Sequence, residues 1–246
     1  MINGREAAPA IDRTMVAAEV PHGTTIVAFR YGDGVLIAGD RRATAGNIIA
    51  SRRIEKVFPA DRFSAVGFAG SAGPALELVR LFQVQLEHYE KVEGVTLSLE
   101  GKANQLSQMI RANMPMAMQG LVVVPIYVGW DFVQRRGRIF SFDITGGRYE
   151  EVDYHAIGSG GRDAASAVKL GFRDALSQDD ALDLAISGLF YAAQEDSATG
   201  GPDFLRSLFP VVATVSQQGY RRLDDSAVEA ASSRVVEAFK EKGPRQ

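Results

Sequence analysis

The chain contains no cysteine, only three histidines and no long apolar run. Without cysteine there is no disulfide, no thiolate nucleophile and no Cys-ligated metal. His22, His88 and His155 are scattered, without the close pairing of a histidine zinc site, so no metal and no cofactor is expected. The longest apolar stretch, residues 121–130, is ten residues long and holds Pro125 and Gly129, well short of a bilayer span. Segment 1–23 is interrupted by Pro9, Asp12, Arg13 and Glu19, which is unlike a secretory signal. The net charge is −3 and no basic block is present, so a nucleic-acid partner has no electrostatic footprint. These absences point to a cytoplasmic protein with neither membrane nor nucleic acid as partner.

What is present suits one globular domain: 246 residues, 46% hydrophobic and 23% charged. Residues 24–30 (TTIVAFR) and 34–38 (GVLIA) read as a hairpin around Tyr31-Gly32-Asp33, and 55–58 and 63–69 as a second pair. From 74 to 93 the period changes. Leu76, Val79, Phe82, Leu86 and Tyr89 recur at helical spacing, and Gly94 closes the run. A second helix is expected over 98–118, with Ala103, Leu106, Met109, Ile110 and Met114 on one side. Strands follow at 121–129, 138–142, 148–152 and 155–157, then helices at 162–176 and 180–195, a hairpin at 211–216 and 220–223, and a helix from 225 to 242. Hairpins alternating with paired helices predict an α+β protein of antiparallel sheets covered by helices, not a parallel βαβ fold. The only boundary is at Gly23, since no linker divides 24–246.

Two motifs are read as structure. GSGGRD (158–163) has Asp163 where a dinucleotide loop needs its third glycine, and no βαβ unit surrounds it, so it is a turn into a helix. AGSAG (69–73) resembles a nucleophile elbow, but Ser71 would have only His155 to serve it, far from the C-terminal place such a fold uses.

The chemistry centres on Gly23-Thr24. A hydroxyl nucleophile needs a base, and in a chain poor in histidine the α-amine of the same residue is one, with an ordinary pKa of about 7.7–8.0. That amine exists only if the bond before Thr24 is cut, which would explain why the domain begins so late in the chain. Glycine at 23 tolerates the strained turn such a cut requires. The site then needs a buried cation, an acid to hold it, and backbone N–H donors for an oxyanion. Asp40 at the end of the second strand, Lys56 within an apolar run, and Gly70 at a strand-to-helix turn are the candidates.

TTIVAFRYGDGVLIAGDRRAT, KVF, FAGSAG, GSG and EDSATGGPD together resemble the β-subunits of 20S proteasomes, which are N-terminal-nucleophile hydrolases; LEHYEKVEG and DSATGGPD resemble the actinobacterial type most. The resemblance runs from about Thr24 to the last helix. It implies a four-layer αββα sandwich, with 1–23 a propeptide removed by self-cleavage and 24–246 a threonine peptidase domain. It assigns Thr24 as nucleophile, Lys56 as cation, Asp40 as its partner and Gly70 as the oxyanion donor. Ser159, Asp196 and Thr199 would surround the threonine amine, with Thr199 standing where many relatives have serine. Substrate-backbone contacts fall on Thr44, Gly70 and Ala72, and a specificity pocket on Ala43, Ile54, Phe68 and Ala72. Strand alternation puts Ser64, Val66, Phe68 and Gly70 on one face, so Phe68 would make that pocket shallow and apolar, favouring cleavage after apolar or small aromatic residues. The implied partners are α-subunits and other β-subunits in stacked seven-membered rings, a cap ATPase, and substrates tagged with a small modifier. The rivals are the peptidase of the bacterial two-component ATP-dependent protease, a non-catalytic structural ring subunit, and a serine hydrolase built on Ser71.

Overall fold

The computed structural model describes residues 23–242, so most of the segment expected to be a propeptide lies outside the described residues. Two five-stranded sheets carry the fold. The first is ordered β10(Tyr154–Gly158), β1(Thr25–Tyr31), β2(Gly34–Gly39), β11(Val211–Ser216), β12(Gly219–Arg222). The second follows chain order: β5(Val57–Asp61), β6(Ser64–Gly70), β7(Val123–Asp131), β8(Arg136–Phe142), β9(Arg148–Glu151). Every neighbouring pair is antiparallel.

Side-chain alternation then builds the layers. Ile26 and Ala28 of β1, with Val35 and Ile37 of β2, face the other sheet and meet Ala65, Ala69, Ile126 and Val128 there. The opposite faces of the same strands, Val27, Phe29, Leu36 and Ala38, pack under α4(Gly161–Gly171), α5(Gln178–Glu195) and α6(Asp225–Lys242). Val66, Phe68, Val123 and Tyr127 pack under α1(Ala72–Glu93) and α2(Leu99–Ala112). The result is helix, sheet, sheet, helix: the expected αββα sandwich. Strands buried on both faces read as continuous apolar runs, which is why GVLIAG shows no polar alternation.

Several expectations are corrected. Leu76 and Tyr89 are exposed; the face of α1 that is buried comprises Ala75, Leu78, Val79, Phe82 and Leu86. The helix expected over 98–118 stops at Ala112, and a separate turn, α3(Met114–Ala117), follows. Pro115 lacks the N–H that would continue the first helix, so the break falls there. The helix expected to reach 176 ends at Gly171, and Ala175 has a left-handed φ of 58°. A short hairpin, β3(Ala43–Ala45) and β4(Ile48–Ser51), turns at Gly46-Asn47 and has no counterpart in the sequence reading. Lys56 lies just ahead of β5 rather than inside it.

Candidate active site

The register of β1 assembles the site. Thr25 pairs with Gly158 and Ile26 with Gly39, so the start of β1 lies between the end of β10 and the end of β2. Asp40 immediately follows β2, and Ser159 immediately follows β10. Gly158 has a φ of 97°, and a side chain there would strike the Thr24 carbonyl oxygen, 1.9 Å from its Cβ.

Asp40 is fully buried and saturated with donors. Its Oδ1 accepts from the Thr25 N–H at 2.8 Å and from Lys56 Nζ at 2.6 Å. Its Oδ2 accepts from the N–H of Arg42 at 2.8 Å and of Gly200 at 2.9 Å. Lys56 is equally committed. Its Nζ donates to Asp40, to the Arg42 carbonyl at 2.5 Å and to the Gly23 carbonyl at 3.0 Å. Three acceptors match the three N–H donors of an ammonium, whereas a neutral amine has only two. Burial nevertheless pushes the Lys56 pKa below the ordinary lysine value, and the Asp40 carboxylate works against that shift. The result is a buried cation held in place yet made readier to release a proton.

Gly23 is in the left-handed region, with φ 106°. A Cβ there would lie 2.7 Å from the Ala198 Cβ and 2.8 Å from the Thr44 Oγ1, so no other residue fits without displacement. The Thr24 hydroxyl reaches the same Gly23 carbonyl oxygen, donating at 2.5 Å. Thus the Lys56 ammonium and the Thr24 hydroxyl converge on the one peptide group that precedes Thr24.

On the other side of β1, Asp196 ends α5. Its Oδ2 accepts from Ser159 Oγ at 2.6 Å and from Thr199 Oγ1 at 2.6 Å, and its Oδ1 accepts from the Ala198 N–H at 3.0 Å. Partial burial alone would raise this carboxyl. The two hydroxyls, the Ala198 N–H and the Lys56 charge outweigh it and hold the pKa below the ordinary value. Ser159 also reaches toward the Thr24 carbonyl, at 3.4 Å.

Thr24 opens onto a small cavity whose lining includes Gly23, Ala43, Ile54, Lys56, Phe68, Gly70 and Ala72. Gly70 has a φ of 104°, and a side chain there would meet the Val122 carbonyl oxygen at 2.1 Å. Thr44 is buried beside Gly23 and is not part of this lining. Glu55, Phe58, Ala75 and Leu76 line the cavity without having been singled out. The sequence reading also passed over Thr25, whose fully buried hydroxyl joins the Asp196 network. A hydroxyl sharing a strand face with Val27 and Phe29 was the available signal, because a buried polar group must find a partner. The rival nucleophile Ser71 is fully buried with an unpartnered hydroxyl, and His155 pairs instead with Glu151 at 3.2 Å. Among the described residues no group of acidic, histidine or cysteine side chains is placed to hold a metal ion, and no helix is long and apolar enough to cross a membrane.

Comparison with known proteins gives the family. The family described as proteasome subunit matches residues 20–203. Proteasome subunit beta of Acidimicrobium ferrooxidans is 64% identical over 231 residues, covering 94% of this chain and 85% of that protein. The protein of the same name from Acidothermus cellulolyticus is 60% identical over 224 residues, covering 89% and 77%. That from Streptomyces griseus is 53% identical over 247 residues, covering 100% and 87%. The chain belongs to the proteasome subunit family. Within it the chain is a β-type subunit, a peptidase component that assembles with other proteasome subunits in rings.

Proposed function

We propose that this β-type subunit is a threonine-type endopeptidase, with Thr24 as nucleophile after self-cleavage of residues 1–23. The observation that carries the reading is the convergence of the Thr24 hydroxyl and the Lys56 ammonium on the Gly23 carbonyl oxygen. An ammonium on a carbonyl oxygen polarises the carbon toward attack, and the attacking hydroxyl belongs to the next residue. Steric exclusion of any side chain at Gly23 supports the same cut.

Once cut, the Thr24 nitrogen becomes the base. It would lie beside Ser159, whose proton is committed to Asp196, so that the Ser159 oxygen is free to accept from it. In peptide hydrolysis the Thr24 Oγ attacks the substrate carbonyl while its proton passes to the Thr24 amine. The tetrahedral oxyanion is met by the Gly70 N–H, and the amine returns the proton to the leaving nitrogen. Water then hydrolyses the acyl-enzyme by the same route in reverse. Lys56 raises the share of unprotonated amine through its charge, and Asp40 holds Lys56 in place. Thr44, Gly70 and Ala72 bind the substrate backbone, and Ala43, Ile54, Phe68 and Ala72 form the specificity pocket. Phe68 limits that pocket to apolar or small aromatic side chains. Cap ATPases would unfold modifier-tagged substrates in the cytoplasm and feed them to the enclosed sites.

Intact-mass measurement and a fluorogenic peptide panel test the reading on the full-length chain assembled with its ring partners. Wild-type protein should lose 23 residues and cleave peptides; Thr24→Ala should do neither. Activity in an unprocessed chain would overturn the proposal.

A further inference from the structure

The Thr25 hydroxyl sits at a junction of three elements. It lies 2.6 Å from Thr199 Oγ1 and accepts from the Gly160 N–H at 3.1 Å, all within buried surroundings. The direction of each hydrogen bond can be worked out. Asp196 is an acceptor, so the single Thr199 proton goes to its Oδ2 at 2.6 Å. The Thr199 oxygen must therefore accept from Thr25, and the Thr25 oxygen accepts from Gly160. Protons run one way: Gly160 N–H to Thr25, Thr25 to Thr199, Thr199 to Asp196. Ser159 approaches the same Asp196 oxygen from the other side at 2.6 Å.

The junction is fitted to this hydroxyl. A Cβ on Gly160 would lie 2.5 Å from the Thr25 Oγ1 and 2.7 Å from the Thr199 Oγ1, so only glycine lets the α4 terminus approach. Thr25 and Thr199 are both fully buried, so removing either hydroxyl leaves its partners away from bulk solvent without the group that orders them.

Resting on the reading of Thr24 as nucleophile, we propose that Thr25 is a positioning residue for catalysis: its hydroxyl, donating to Thr199 Oγ1 and accepting from the Gly160 N–H, ties Thr199 and the start of α4 to β1 and so holds the Asp196 end of the site in one arrangement around the Thr24 nitrogen. With Thr199 and Ser159 both donating to Asp196, the Ser159 oxygen has no proton of its own to offer Thr24 and acts there only as an acceptor. Without Thr25, the Thr199 oxygen loses its donor and the Gly160 N–H its acceptor. The Asp196 end of the site then has more than one arrangement, and the amine is no longer held for proton transfer.

The test compares Thr25→Ala and Thr25→Ser with wild type in the full-length chain assembled with its ring partners, after native mass has established assembly. Thr25→Ala should lower kcat for a fluorogenic peptide roughly ten-fold or more while KM stays within about two-fold, as expected for a misplaced catalytic group. Thr25→Ser keeps the oxygen and should restore most of kcat. Combined with Thr199→Ala, the Thr25→Ala change should add no further loss, because it acts through Thr199. If Thr25→Ala fails to assemble, Thr25→Cys, which fills the space with a poor hydrogen-bonding group, carries the same expectation. Wild-type kcat in the variant that lacks the oxygen, or equal impairment by serine, overturns the proposal. Thr24→Ala is assayed alongside: activity there would refute the nucleophile assignment itself, which is a different failure.

Discussion

Two of the buried cations among the described residues have opposite fates. Arg138, on β8, is enclosed by Asp131 at 2.8 Å and by Glu150 at 2.6 Å, and its guanidinium lies 4.9 Å above the Phe140 ring. Its hydrogen bonds to Glu150 outweigh the effect of burial and push its pKa further up. Lys56 is as deeply buried, but it faces one carboxylate and two backbone carbonyls, and burial prevails, pushing its pKa down. Arg138 spends its donors on side chains of its own sheet and fastens a hairpin. Lys56 spends one on Gly23, at the peptide bond where cleavage is proposed. On the proposed function, the difference is one of partners: Arg138 is closed on carboxylates, whereas Lys56 keeps a donor for the Gly23 carbonyl.

The contrast can be broken most forcefully at Lys56. Lys56→Met keeps the length of the side chain and removes the charge. Peptide hydrolysis should fall about 10³-fold or more, since both the polarising group and the field on the amine are lost. Folding should survive at a loss of stability, because Asp40 is left buried without its counter-charge but keeps the N–H groups of Thr25, Arg42 and Gly200. Steady-state kinetics together with native mass check both halves. Unchanged kcat would put Lys56 in the same class as Arg138.

Arg138→Met should cost stability without touching the chemistry. It strands Asp131 in a largely buried position and should cost about 3 kcal/mol of stability, at the lower end for a broken buried pair because Val133 and Gln134 still donate to Asp131. Activity per assembled subunit should stay at the wild-type level. Denaturant titration and active-site-normalised kinetics measure the two; a selective fall in kcat would remove the distinction.

The smallest effect concerns acid. The Asp196 pKa is depressed in the folded chain, so its contribution to stability is present above the ordinary carboxylate pKa, about 3.9, and is lost as pH falls through the lower folded value. Asp196→Asn should therefore lower Tm at neutral pH, with the penalty shrinking toward pH 3. A penalty that does not change with pH would mean that hydrogen bonding alone, without charge, sets the effect.

The fold was legible wherever its signal was local. The α1 run showed its helical period, and GVLIAG and TIVAF showed strands, because apolar side chains at a fixed spacing need no partner to be recognised. The buried face of α1 keeps Val79, Phe82 and Leu86 as read, but Ala75 and Leu78 complete it in place of Leu76 and Tyr89. That choice depends on the sheet beneath. The β3–β4 hairpin went unread because β3 is only three residues long and β4 only four and largely open, too short to show an alternating pattern. Of the candidate site, Thr24, Asp40, Lys56 and Gly70 could be picked out as a chemical set before any contact was known. Ser159, Asp196 and Thr199 came only through resemblance, because no local pattern ties them to β1.

Sequence alone determined the residue types and marked the peptide bond at which cleavage is proposed: Gly before Thr, a lysine among apolar neighbours, and no thiol and few histidines for other nucleophilic chemistry. Only the tertiary structure decided that Thr199, 174 positions from Thr25, would share a proton with it. Such contacts depend on sheet register and helix packing, which arise from summed burial across the whole sandwich and leave no mark at any single position in the chain.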